Sequence, residues 1–185
     1  MHQSQAAIRL MLELKPLPIP YGQSNRADGE NFGYKSILKN PKTIDEIPEL
    51  FAEPSVKDFI LSIHSPMGVF ETVRVVHWLQ THDGISTKSM ALGFVFRDRR
   101  LFNSYANCIA FSGNVLMEMC KGKILYDDPP LVDIQPACFL EENAHGWIMD
   151  FYVSGRGASE DEARQRFDRN MASLKTIFQT GMASE

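Results

Sequence analysis

The C-terminal third of the chain leaves the fewest folding options. "GWIMDFYVSGRGASEDEARQRF" passes from an apolar stretch, through two glycines, into a charged segment with helical spacing. Ser159 and Glu162 stand in the S-x-x-E pattern of a capping box, which supplies partners for amides of a first helical turn. Glu160, Asp161 and Glu162 place negative charge at the positive end of the helix dipole. Ala163, Phe167, Met171, Leu174 and Phe178 recur at helical intervals and form one apolar stripe, with Arg164, Gln165, Asp168 and Arg169 on the wet side. Such a stripe must cover something apolar. The strand before it offers Trp147, Met149, Phe151 and Val153 on one face, with Asp150 and Tyr152 on the other. Glycines before a helix can let amides cradle an anion, but three acidic residues follow at once and would repel one. Gly155 and Gly157 therefore read as the joint where the chain reverses between strand and helix.

Upstream, Ile8, Leu10, Leu12 and Leu14 alternate with polar residues, which predicts a strand with one buried face. Pro16, Pro18 and Pro20 end it, since proline cannot donate to a sheet ladder. Residues 21–40 are polar and rich in Gly and Asn, the pattern of a long loop or insertion, with Tyr21, Phe32 and Tyr34 as apolar anchors of a lid. "TIDEIPELFAEPSVKDFILSIH" predicts two short helices, capped by Thr43 and Ser55, the second burying Val56, Phe59, Ile60 and Ile63. "VFETVRVVHWLQTH" and "ISTKSMALGFVFRD" are rich in β-branched and aromatic residues and flank an Asp-Gly pair, a hairpin signal. "SYANCIAF" and "VLMEMCKGKI" flank "SGN" and predict a second hairpin. "YDDPPL" predicts a turn. "VDIQPACFL" and "GWIMDFYVSG" flank "EENAH" and predict a third hairpin, with Pro136 at a bulge or an edge. The basic cluster "RDRR" (residues 97–100) reads as a solvated hairpin tip.

The expected fold class is therefore α+β: an antiparallel, mostly meander sheet of about seven strands packed on a long C-terminal helix, with two short helices after the first strand. Residues 1–185 are expected to form one domain. This order of elements resembles the helix-grip fold of the START/Bet v 1-like superfamily, in which a curved antiparallel sheet wraps a long C-terminal helix. The resemblance implies a cavity between sheet and helix that holds a small hydrophobic or aromatic ligand, with cyclase-like or hydrolase-like chemistry as an extension.

Composition narrows the function classes. The formal net charge is −4, with 44% hydrophobic and 23% charged residues, ordinary values for a globular protein. Nucleic-acid binding is not expected, because no strand interleaves Lys or Arg with aromatics. Cys108, Cys120 and Cys138 form no CxxC pair and read as free thiols of a reducing compartment. The first residues alternate rather than forming a signal peptide, and no apolar run reaches the roughly 20 residues of a membrane span. A cytoplasmic protein without cofactor is expected. The P-loop, HExxH, GxSxG and EF-hand motifs are absent, so no nucleophile with a partner can be named and enzymatic activity stays open. His77 and His82 do not share a face at metal-ligand spacing, so no metal is expected there.

Polar residues on otherwise apolar strand faces are the candidate ligand-binding residues: Glu71, His77, Tyr105 and Asn107. His77 can serve as a general acid or base, its ordinary pKa lying near the working range. The alternative function is a non-enzymatic interaction or assembly subunit, docking through the outer face of the last strand at Ile148 and Tyr152, or pairing with its own copies.

Overall fold

The computed structural model describes residues 6–26, 29–65, 68–121 and 130–182. Its longest hairpin joins β5 (Phe70–His82) to β6 (Ile85–Phe96). Asp83 and Gly84 take φ values of 50° and 75° there, the left-handed conformation that a tight two-residue turn requires. A second hairpin joins β7 (Leu131–Phe139) to β8 (Ala144–Gly157), and β8 also pairs antiparallel with β6. β1 (Ala7–Leu10) and β2 (Leu17–Ile19) lie along the other edge of β7, both parallel to it. β3 (Ser24–Arg26) and β4 (Gly29–Asn31) form a small separate hairpin within the expected long loop.

The main sheet is thus mixed and six-stranded, and the expected antiparallel meander of about seven strands is corrected on two counts. The first strands pair with β7 across most of the chain, a contact that no local turn encodes. The expected hairpin around "SGN" is instead one helix, α3 (Tyr105–Cys120). Cys108, Ser112, Val115, Leu116 and Met119 are buried along one side of it, at helical rather than strand spacing. Gly113 lies where an added Cβ would meet nothing, so the helix absorbs it at a cost of about 1 kcal/mol relative to alanine. The rest of that expected hairpin, beyond Lys121, and most of the expected turn at "YDDPPL" lie outside the described residues. Pro136 pairs with Trp147 of β8 but has no register partner on its other side, where β1 pairs with β7 as far as Ile134 and β2 begins at Ala137.

Two 3-10 turns, Pro41–Glu46 and Pro48–Leu50, precede helix α1 (Pro54–Ile63). The expected caps differ. The Asn40 side chain accepts from the Lys42 amide, and Ser55 donates to Asp168 of the C-terminal helix instead of capping its own. Val56, Phe59, Ile60 and Ile63 are buried as the stripe requires. The "RDRR" cluster is no hairpin tip. Asp98 caps the short helix α2 (Arg99–Phe102), accepting from the Arg100 amide at 2.8 Å.

The C-terminal helix, α4 (Glu160–Met182), crosses one face of the sheet. The Ser159 hydroxyl accepts from the Glu162 amide, and the Glu162 carboxylate accepts from Ala158, completing the box. The two glycines lie within β8 and serve a second purpose. A Cβ on Gly155 would stand 2.2 Å from the Phe167 nitrogen, so their absence of side chain lets α4 approach the strand backbone. Phe178 sits at the centre of the core. The rings of Phe59, Phe70, Phe94, Phe111 and Phe151 surround it at centroid distances of 5.2–5.9 Å. Between sheet and α4 these side chains interlock as one apolar core.

Candidate functional site

Side chains alternate along β5, and that alternation decides which way Glu71 faces. Phe70 packs against Phe111 and Phe178 on the helix side. Glu71, the next residue, faces the other way, at the end of the sheet where β5 begins, β6 ends and β7 turns into β8. There Ile19 and Pro20, the stretch from Tyr34 to Lys39, the start of α2 and the β7–β8 turn border an open cleft of about 480 Å³. That size lies within the range of about 300–1,000 Å³ usual for small-molecule sites. Ile19, Pro20, Leu38 and Phe139 give it apolar walls, and Glu71 and Tyr34 stand among them.

Glu71 is only 4% exposed. Its carboxylate accepts a hydrogen bond from the Tyr34 hydroxyl. Burial and this bond push the Tyr34 phenol well above its ordinary pKa, so it remains the donor. Among the described residues no cation lies within ion-pair distance of Glu71. Two arginines close by are committed elsewhere. Arg97 donates to the carbonyls of Phe70 and Ser65 at 2.7 and 2.9 Å. Arg99 makes a two-pronged pair with Glu142, each bond 2.7 Å long, and its guanidinium lies 3.7 Å from the centre of the Phe139 ring. That pairing raises the Arg99 pKa and lowers that of Glu142. Lys39 pairs with Glu141 at 3.3 Å across the mouth.

Two tyrosines fasten this side of the cleft to β5. The Tyr21 hydroxyl donates to the Val73 carbonyl at 2.9 Å, and burial pushes its pKa up to about 12. The Tyr34 amide donates to the Tyr21 carbonyl, and the two rings meet edge to face at 6.2 Å. Phe32 borders a separate hollow of about 30 Å³ beside Val75, room for about one water.

The other three candidate residues do not join Glu71. His77 lies further along β5, half exposed, with Nδ1 3.3 Å from Lys88 Nζ and 3.8 Å from Glu53 Oε1. Burial lowers its pKa, and the Lys88 charge lowers it further. Lys88 and Glu53 themselves are a buried ion pair, their side chains 2% and 5% exposed, with Arg164 of α4 3.9 Å from the same carboxylate. Tyr105 and Asn107 belong to α3 and not to a strand face. Tyr105 is exposed, its ring edge-on to Trp147 at 5.7 Å, and Asn107 lies in the first turn of that helix.

The expected docking face on the last strand is also corrected. Ile148 is fully buried, and Tyr152 is half-buried, donating to Asp133 at 3.1 Å. Ile148 and Tyr152 share their face of β8 with Asp150, which takes Arg74 and Gln135 as partners. A row of paired charges therefore crosses this face from β5 to β1, where Arg9 holds Asp133. Gly93 of β6 lies beneath the Arg74–Asp150 pair: a Cβ there would come within 2.7 Å of the Asp150 carboxylate. Burial raises the Asp150 pKa, and Arg74 opposes that shift.

The cleft residues that sequence reading passed over are Arg99, Phe139, Glu141, Glu142 and Lys39. The one available signal was the complementarity of the basic "RDRR" and the acidic "EE" of the last hairpin turn. Among the described residues no helix is long and apolar enough to cross a membrane, and no three metal-ligating side chains gather. No family model matches the chain, and no match emerges among curated proteins or solved structures.

Proposed function

We propose that this protein binds a small ligand with an apolar or aromatic body, held in the cleft bordered by Tyr34, Leu38, Glu71 and Phe139. The observation that carries this reading is a cleft of about 480 Å³ that combines an apolar wall of Ile19, Pro20, Leu38 and Phe139 with polar groups able to fix a ligand's orientation, a size and division of roles found in small-molecule sites. The two tyrosines support it further, because their bonds to β5 hold one side of the cleft in place before any ligand arrives and so reduce the ordering cost of binding. The expected position between sheet and α4 gives way to this one, since Phe178 and its neighbours fill that space. The test is thermal stabilisation by neutral naphthyl and indolyl compounds. Wild-type protein should show a saturable rise in Tm, and Leu38→Trp, which fills the cleft, should abolish it. An equal rise in both proteins, or none in either, overturns the reading.

A second reading, self-assembly, is favoured by one feature. β5 is the last strand of the sheet, with Val76 46% exposed, and among the described residues no strand pairs with its outer edge. An open edge strand without Lys or Pro is a template for pairing with a second copy. Light scattering after size exclusion tests this reading: a dimer that Val76→Lys dissociates supports it, and a strict monomer ends it.

A further inference from the structure

We infer that the cleft selects an organic cation, a primary amine or related nitrogen donor on an apolar body, and that Glu71 is the residue that receives it. This rests on the binding reading above and deepens it.

The argument is one of charge balance at a buried site. Glu71 is 4% exposed and borders the cavity. A carboxylate has two oxygens and room for about four hydrogen bonds, and Tyr34 supplies one donor to Oε1. Every cation around the cleft is engaged elsewhere. Arg99 is held two-pronged by Glu142, Lys39 by Glu141, and Arg97 by backbone carbonyls. Buried charges are otherwise paired, because taking a carboxylate out of water without a partner is costly. The other buried carboxylates among the described residues obey that rule: Glu53 has Lys88, Asp133 has Arg9 and Asp150 has Arg74. Glu71 stands apart in having no ion pair, the charges of Arg97 and Arg99 reaching it only at longer range, and it is also the one of the four that borders the cleft. An ammonium supplies both the missing charge and the missing donors. An anion would meet the charge of Glu71, while Lys39 and Arg99 in the same lining are already neutralised by Glu141 and Glu142.

The chemistry of the walls sets the remainder of the ligand. Ile19, Pro20 and Leu38 suit an aliphatic or aromatic body. The Phe139 face is already taken by Arg99, so the cation is directed to the Glu71 end.

Three probes of nearly equal shape test this by calorimetry: 2-(naphthalen-2-yl)ethylamine, its alcohol 2-(naphthalen-2-yl)ethanol, and naphthalen-2-ylacetate. The amine is expected to bind at least about tenfold more tightly than the alcohol, with the carboxylate weakest. Glu71→Gln should bring amine and alcohol to equal affinity, while Glu71→Asp keeps part of the preference. Melting curves of both variants establish that they fold. If alcohol and amine bind equally well to wild-type protein, the cation assignment fails and the binding reading survives. If the carboxylate binds best, the assignment fails in sign. If the amine keeps its advantage in Glu71→Gln, some other residue receives it and the assignment fails. If none of the three binds, both readings fail.

Discussion

Glu53 and Glu71 are equally buried, each 4% exposed, and their surroundings differ in every other respect. Glu53 stands at the N-terminus of α1, among groups from three elements: the cations Lys88 of β6 and Arg164 of α4, and the imidazole of His77 of β5. It joins the helix layer to the sheet. Glu71 has one neutral partner from a neighbouring segment and borders a cleft. Burial of a charge is therefore a poor guide to function in this protein. The balance of charge around it separates a structural clamp from a place prepared for something else.

The sharpest way to break this contrast is Lys88→Met. It leaves Glu53 buried without its main cation and should cost about 3–5 kcal/mol in urea unfolding. Adding Glu53→Gln to it should recover much of that loss, because the two residues act as a unit. A loss below about 1 kcal/mol would show that the pair is no clamp. Next in size is Gly155→Ala, on the same helix side. The new methyl would meet the α4 backbone, which cannot move aside as a flexible side chain can. A loss of about 3 kcal/mol is expected from such overpacking.

His64 gives a pH-dependent contrast of intermediate size. Its Nε2 accepts from the Thr72 amide at 3.0 Å, and burial, with Arg97 nearby, lowers its pKa from 6.5 to about 4. The unfolded chain takes up a proton near pH 6.5 that the folded ring refuses until about pH 4. Its stabilising effect is thus complete above pH 6.5 and falls as the pH drops toward 4, by at most about 3 kcal/mol. His64→Gln keeps an acceptor for Thr72 and should flatten that part of the stability curve between pH 7 and 4.5. A curve parallel to wild type across this window would remove His64 from the account.

The smallest expected effect is the most informative. Glu71→Gln should change stability by less than about 1 kcal/mol, since Tyr34 can donate to the amide oxygen and no cation loses a partner. Were it to cost as much as Lys88→Met, Glu71 would be a structural residue and the contrast with Glu53 would disappear.

Legibility in the sequence followed the range of the interaction. The β5–β6 hairpin, the buried stripe of α1, and α4 with its capping box all rest on residues within a few positions of one another, and they stand as read. α3 was misread because its apolar residues are dense and "SGN" looks like a turn; only the layer it packs against shows which positions are buried. Glu71 stands out in the sequence because a carboxylate on a β-branched strand is conspicuous. Its partners were not, because Tyr34, Arg99, Phe139 and Glu142 come from segments far apart in the chain. The same distance hid the environment of His77, whose neighbours Lys88 and Glu53 arrive from another strand and a helix.

The sequence by itself determined the local grammar: which segments pair through tight turns, where α4 begins and which stripe it buries. Those outcomes follow from backbone sterics, amide satisfaction and hydrophobic periodicity, all of them short-ranged. Tertiary structure alone decided that β1 and β2 run parallel to β7, that phenylalanines fill the space between sheet and α4, and that the open volume lies on the other side of the sheet beside Glu71. Packing and charge pairing depend on which distant surfaces meet, and no local pattern carries that information.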